Sequence, residues 1–325
     1  MYRTFFFKLI LSSTIIFLSY GCAMNKSNAP MPEKSPTPNP AKFRVIAYVT
    51  DAIVPALIPY DQLTHINFAF LLPAEDGTFH DLLSTWKVEE LVRLAHLQNV
   101  KVLISVGGWG WDRQFEAVAS SPSTRAVFVR NLVKIIDQYQ FDGADIDWEY
   151  PDEGISSQNF LALMQELRAA LPEDKLLTAA VVALGQHGPG IPDESFALMD
   201  FINIMAYDGD GAQHSSMDYA QSALDYWLGR GLPPEKATLG VPFYARPTEI
   251  PYRRIVTDDP IAAQLDSTVY AGILINYNGI PTIQAKTRLA MQRASGIMFW
   301  TLEDDASGDL SLLGAIHQVV INNGK

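Results

Sequence analysis

Short apolar runs rich in β-branched residues alternate along the chain with longer stretches whose apolar positions recur every three or four residues. The runs read as strands: Arg44–Val49, Thr64–Leu71, Lys101–Val106, Ala144–Trp148, Leu177–Val182, Phe201–Met205, Thr238–Val241 and Gly296–Trp300. The longer stretches read as helices over Val88–Gln98, Thr124–Tyr139, Gln158–Leu171, Asp218–Gly229, Ile283–Ala294 and Leu312–Val320. Phe160, Leu163, Met164 and Leu167 fall on one helical face, and the run Ser123–Phe128 opens with a cap candidate. Most strands are apolar throughout, as in Val102-Leu103-Ile104 or Phe201-Ile202-Asn203-Ile204, a texture produced when a sheet is covered on both sides. Repeated strand–helix alternation gives parallel strands with crossover helices. Eight such strands predict an α/β protein with a single (β/α)8 (TIM) barrel over residues 43–325. The competing arrangement is an open doubly wound sheet, but no glycine-rich dinucleotide fingerprint follows the first strand.

Residues 1–42 break this alternation. Arg3 and Lys8 precede the apolar run Leu9 to Leu18, which is too short to span a bilayer comfortably. Leu18-Ser19-Tyr20-Gly21-Cys22 then sets small residues beside the only cysteine. A lone cysteine forbids an intramolecular disulfide, so the fold rests on its core. The segment resembles a bacterial lipoprotein signal, in which the cysteine is lipidated and becomes the mature N-terminus; Ser19 stands where leucine is usual. This implies a signal peptide over 1–22, export, and a lipid anchor at Cys22 holding the protein to a membrane at the cell surface or in the periplasm. An ordinary signal peptide or an uncleaved anchor is the alternative. Residues 23–42 carry Pro30, Pro32, Pro36, Pro38 and Pro40 without an apolar period, the composition of an extended, solvated spacer.

Charge narrows the partners. A formal net charge of -12 disfavours nucleic acid, whose phosphates need clustered Lys and Arg, and is tolerable if the substrate is neutral. The six histidines are scattered with none at a ligand spacing, so neither a metal nor a cofactor is expected.

The chemistry concentrates in Phe141-Asp142-Gly143-Ala144-Asp145-Ile146-Asp147-Trp148-Glu149-Tyr150-Pro151. Alternate residues of a strand point the same way, so Asp145, Asp147 and Glu149 share one face, while Asp142 has the opposite parity and reads as a structural acid. Pro151 stops the strand just after them, which places the acids toward the C-terminal end, the face where barrels build their chemistry. Like charges this close cannot all ionise comfortably, so the cluster keeps a proton on a carboxyl near neutral pH, as general acid catalysis requires. A metal site is the rival reading, but nothing in the run matches a calcium loop. A solvated acidic turn would not be embedded among Phe141, Ile146, Trp148 and Tyr150.

The Asp-x-x-Asp-x-Asp-x-Glu pattern within this run resembles the signature of family-18 glycoside hydrolases, the chitinases. Further segments are similar to the family's strands in order: Ser105-Val106-Gly107-Gly108-Trp109, Met205-Ala206-Tyr207-Asp208, Gly240-Val241-Pro242-Phe243-Tyr244-Ala245-Arg246 and Gly296-Ile297-Met298-Phe299-Trp300. The resemblance implies hydrolysis of β-1,4 linkages next to N-acetylglucosamine, with retained configuration and no carboxylate nucleophile. It implies Glu149 as acid/base, Asp147 as the residue that orients the substrate's acetamido group, Asp145 behind it, and Tyr207 on the acetamide oxygen. Trp300 would form the floor under the sugar, with Asp208, Trp109, Arg246 and Tyr244 lining the cleft. Tyr207 and Trp300 could instead be packing aromatics.

Ala245 departs from the glycine usual before the arginine. Only about fifty residues separate Arg246 from Trp300, too few for the full α+β insertion domain of many chitinases, so a shallow, open cleft is expected; the chain is separately expected to be a monomer. An endo-β-N-acetylglucosaminidase or a peptidoglycan-directed glycosidase would share the acid motif. A non-catalytic glycan-binding protein would usually lack the glutamate.

Overall fold

The computed structural model describes residues 43–323. The predicted signal peptide, Cys22 and the proline-rich spacer lie outside the described residues. Eight parallel strands close into a barrel: β1 (Arg44–Val49), β2 (His65–Leu71), β3 (Lys101–Gly107), β4 (Gly143–Asp147), β5 (Leu176–Val182), β6 (Phe201–Met205), β7 (Ala237–Pro242) and, after four short strands, β12 (Gly296–Trp300). The order round the barrel is β1-β12-β7-β6-β5-β4-β3-β2. Closure pairs Arg44 with Gly296 and Ala47 with Phe299. This is the closed α/β barrel that the strand pattern predicts.

Alternation along the strands feeds two separate cores. Val45, Ala47 and Val49 join the large cluster beneath the helices. Ile46 and Tyr48 point instead into the barrel, where they meet Ala180, Phe201, Met205 and Met298. The outer layer comprises α1 (Thr85–Leu97), α2 (Asp112–Ala119), α3 (Pro122–Tyr139), α4 (Ile155–Ala170), α5 (Met217–Gly229), α7 (Ile280–Arg293) and α8 (Leu312–Asn323), with the short α6 (Tyr252–Asp258) in the insert described below. In α4, Phe160, Leu163, Met164 and Leu167 are buried, the stripe that their spacing predicts. The α3 cap is Ser121, not the Ser123 suggested by the sequence. Its hydroxyl accepts from the Thr124 amide at 3.3 Å, and Pro122 takes the first helical position, where a missing N–H costs nothing.

Three connections differ from the simple alternation. β1 leads to β2 through 3-10 turns at Pro55–Leu57 and Tyr60–Gln62, and β5 to β6 through Gly188–Gly190 and Asp193–Ala197. Between β7 and α7 stands a compact insert: a short pairing of β8 (Tyr244–Ala245) with β9 (Ile250–Pro251), α6, and a hairpin of β10 (Ser267–Tyr270) and β11 (Ile273–Asn276). It is not a full insertion domain, but it is more structured than the single helix expected there. Val269, Ile273 and Leu274 of the hairpin are exposed, so their apolar pattern does not mark a core. Among the described residues no helix is long and apolar enough to cross a membrane.

Candidate active site

β4 ends at Asp147, one residue before the expected limit, so Glu149 stands just past the strand at the barrel rim. Parity still sorts the run. Ala144, Ile146 and Trp148 enter the outer core. Trp148 stacks on Phe115 at 5.2 Å and donates its indole N–H to Asp112 Oδ1 at 2.8 Å. Anchoring Trp148 outward leaves Asp145 and Asp147 facing the barrel lumen. Asp142, at the opposite end of the strand, accepts from the Val102 amide and from His96 Nε2, at 2.7 and 2.8 Å.

The three lumen acids have unlike surroundings. Asp145 is fully buried and accepts from four strands: Thr178 Oγ1 (2.6 Å), Tyr48 Oη (2.7 Å), Ser105 Oγ (2.8 Å) and Asn203 Nδ2 (3.2 Å). Burial pushes its pKa up and these donors pull it back, with burial prevailing. Asp147 is 3 % exposed and its buried Oδ1 has no hydrogen-bond partner. Burial first, then the charges of Glu149 and Asp145, hold its pKa well above the usual carboxylate range. Glu149 is half-buried. Burial raises its pKa, the Tyr150 hydroxyl opposes by hydrogen bonding, and Asp208 adds upward repulsion. Negative charge is best tolerated on Asp145, where four donors meet it, and protons on the two acids above.

The loop after β6 supplies the facing wall. Tyr207 ends inside, where its hydroxyl meets the Met298 thioether at 4.0 Å and its ring stands edge-on to Tyr244 at 6.3 Å. Asp208 has φ +57°, a left-handed conformation that Asp tolerates better than most residues. Arg246 clamps it through two bonds of 2.8 and 2.7 Å, and His214 Nδ1 lies 3.1 Å from Oδ1. Burial acts upward on Asp208, but the hydrogen bonds from Arg246, His214 and Tyr244 outweigh it and keep the carboxylate ionised.

Trp300, at the end of β12, stacks on Phe70 at 5.4 Å and leans on Tyr48 at 5.6 Å, forming an aromatic floor beside the acids. Trp109 is 79 % exposed on the loop after β3, away from the packed centre.

Three close approaches lock this arrangement. Gly107 and Gly108 have φ of +106° and +87°; a Cβ on Gly107 would sit 2.4 Å from the Asp147 carbonyl, and one on Gly108 2.5 Å from the Phe70 ring. The Gly108 amide donates to that same Asp147 carbonyl at 2.9 Å. On the other side, a Cβ on Gly190 would lie 1.7 Å from the Pro151 carbonyl. The acid-bearing segment is therefore held from both flanks by backbone contact.

The structure thus gathers Asp145, Asp147, Glu149, Tyr207, Asp208, Tyr244, Arg246 and Trp300 at the C-terminal mouth of the barrel, with Trp109 at its edge. Sequence reasoning passed over Tyr48, Thr178, Asn203, Phe70 and His214. For Thr178 and Asn203 a signal existed: each is a polar residue at inward parity in an otherwise apolar barrel strand. Among the described residues no group of three or more acids, histidines or cysteines is placed to hold a metal ion.

The family model for glycosyl hydrolases family 18 matches residues 44–305. Chitinase 1 of Aphanocladium album is 32 % identical over 244 residues, 59 % of this chain and 57 % of the fungal protein, so the chain spans little more than half of that relative. A solved family-18 chitinase of Flavobacterium johnsoniae is 30 % identical with a TM-score of 0.74, covering 87 % of this chain and 95 % of its own. A solved chitinase of Bacteroides thetaiotaomicron is 27 % identical with a TM-score of 0.79, covering 87 % and 97 %. With its barrel, its ordered strand motifs and the acid run all inside the matched span, the chain belongs to glycosyl hydrolases family 18.

Proposed function

We propose that this protein hydrolyses β-1,4 linkages next to N-acetylglucosamine in chitin or chito-oligosaccharides, by a retaining, substrate-assisted reaction with Glu149 as acid and then base. The observation that carries this reading is the contrast between Asp145, met by four donors, and Asp147, whose buried Oδ1 has none. An acceptor left unsatisfied at a barrel mouth is costly to the free protein and suits a donor that arrives with the substrate. The acetamido N–H is such a donor. Chitinases among the relatives, at up to 34 % identity, support the substrate class.

Glu149, its pKa raised chiefly by burial, keeps a proton to give to the glycosidic oxygen. As that C–O bond breaks, the acetamido carbonyl oxygen attacks the anomeric carbon from the opposite face and an oxazolinium ion forms. Asp147 accepts from the acetamido N–H; the proton it holds in the free protein passes to Asp145 behind it as the positive charge develops, and the carboxylate so left balances that charge, while Tyr207 donates its hydroxyl to the acetamido oxygen. Glu149, now ionised, takes a proton from water, whose oxygen attacks the anomeric carbon and reopens the ring. Two inversions give net retention. Trp300 carries the apolar face of the reacting sugar. The insert is small, which favours an open cleft suited to internal cleavage or short chains.

Replacing Glu149 by Gln tests the acid role: hydrolysis of chitotriose falls at least about a hundredfold while binding persists. A substrate with glucosamine at the cleaved unit tests the attack; equal hydrolysis of the two substrates refutes it. A screen across chitin, peptidoglycan and a high-mannose glycoprotein separates the substrate classes.

For the N-terminal region, we read residues 1–22 as a lipoprotein-type signal and Cys22 as the anchor of an exported, membrane-tethered monomer. Incorporation of labelled palmitate that disappears on Cys22→Ser tests the anchor.

A further inference from the structure

One buried cation is not used by the proposed reaction. Lys286 of α7 is 0 % exposed, and among the described residues no carboxylate lies within ion-pairing distance of its ammonium. Burying a charge without a counter-ion is expensive unless every donor is satisfied. Here all three are: Nζ donates to the Ser215 carbonyl (2.6 Å), to Ser215 Oγ (2.6 Å) and to Asn278 Oδ1 (2.7 Å).

The donor count fixes the protonation state. The Ser215 hydroxyl gives its one hydrogen to the Ala206 carbonyl at 2.6 Å, so toward Nζ it can only accept. With a carbonyl and an amide oxygen as the other partners, three N–H groups are needed. Only the ammonium has three. Burial nevertheless drags this group down to about 7, with Asp266 opposing, so the arrangement spends stability to keep an ammonium here.

These bonds close the loop that presents Tyr207 and Asp208. Ser215 Oγ ties the end of the loop to Ala206, the residue before Tyr207. His214, next to Ser215, bonds the Asp208 carboxylate through Nδ1 and accepts from the Gly209 amide through its carbonyl. Asn278 Nδ2 donates to the same Ser215 carbonyl at 2.9 Å, and Gln213 Nε2 donates to the Tyr277 carbonyl at 2.8 Å. The insert thus braces the back of the loop.

We propose that Lys286 is a positioning residue: with Asn278 of the insert it fixes loop 206–216 from behind and so sets Tyr207 and Asp208 against the substrate. The inference rests on the hydrolase reading only for its kinetic consequence. Lys286→Met keeps the length of the side chain and removes all three donors. On the folded fraction, kcat for a chito-oligosaccharide falls about tenfold with KM little changed, because small displacements of positioned groups are felt in the transition state. In a background carrying both Tyr207→Phe and Asp208→Asn the same substitution costs less than about twofold, since it acts through the two residues already removed. Equal losses in both backgrounds, or no loss in the parent, overturn the proposal.

Hydrogen–deuterium exchange decides it independently of turnover. Amides of residues 206–216 exchange about tenfold faster in Lys286→Met while β4 is unchanged; no change in the loop, or the same rise in β4, overturns it. If Lys286→Met does not fold, Ser215→Ala carries both measurements. A parent that binds but never hydrolyses defeats the proposed function alone, and the exchange result still stands.

Discussion

The two ends of β4 carry acids of opposite character. At the N-terminal end, Asp142 is held by the Val102 amide, His96 and Lys101. Burial acts upward on it, but these partners prevail and its carboxyl lies below the usual range. At the C-terminal end, Asp147 and Glu149 lie above that range, and Asp147 keeps an acceptor without a donor. One strand thus contains an acid whose bonding is completed by folding and acids whose bonding is left for a visitor. The first kind stabilises; the second is the kind to which the proposed reaction assigns the chemistry.

The contrast can be broken by exchanging the fates of the two ends. Asp147→Asn should lower kcat by about a hundredfold or more, as expected for loss of transition-state charge balance. It should also raise the melting temperature by about 2 °C, because a raised acid pKa weakens the native state as pH climbs through it. An active or less stable variant would end the distinction. Asp142→Ala should do the reverse, losing about 2 kcal/mol of stability in denaturant titrations while the kcat of the folded enzyme is kept. Because the folded pKa of Asp142 is depressed, its contribution is present above the unfolded value and is lost as pH falls through the folded one.

Smaller effects sharpen the picture. Asp208 repels charge on Glu149 and so helps to keep it protonated. Asp208→Asn should therefore shift the alkaline limb of kcat/KM to lower pH, and an unmoved limb would sever the link between the two carboxyls. Least of all, Trp109→Ala should raise KM for long oligosaccharides about threefold, the scale of one aromatic contact, and leave short ones unaffected.

Much of this was legible from the sequence because barrels impose simple rules. Apolar runs gave the eight strands to within a few residues, and the stripe on α4 followed from spacing alone. The acid run declared itself since no core explanation accounts for three carboxyls of one parity. What escaped had physical reasons. Thr178 and Asn203 sit in runs so apolar that their polarity reads as noise until the lumen is known to contain Asp145. Lys286 reads as an ordinary charge on an amphipathic helix, because nothing local shows that the loop after β6 covers it. The insert's hairpin mimics a core strand in composition while Val269 and Leu274 face water. The strand limit after Asp147 depends on where tertiary hydrogen bonding stops, which a side-chain pattern does not encode.

The contact between Gly190 and Pro151 has a consequence for anyone mutating this chain. A single added methyl at that distant loop would have to displace the backbone just beyond Glu149, so tolerance at codon 190 is set by volume, not by recognition. A saturation library selected for turnover should return glycine there, and a reader ranking positions by intolerance alone would mistake an empty space for a reagent.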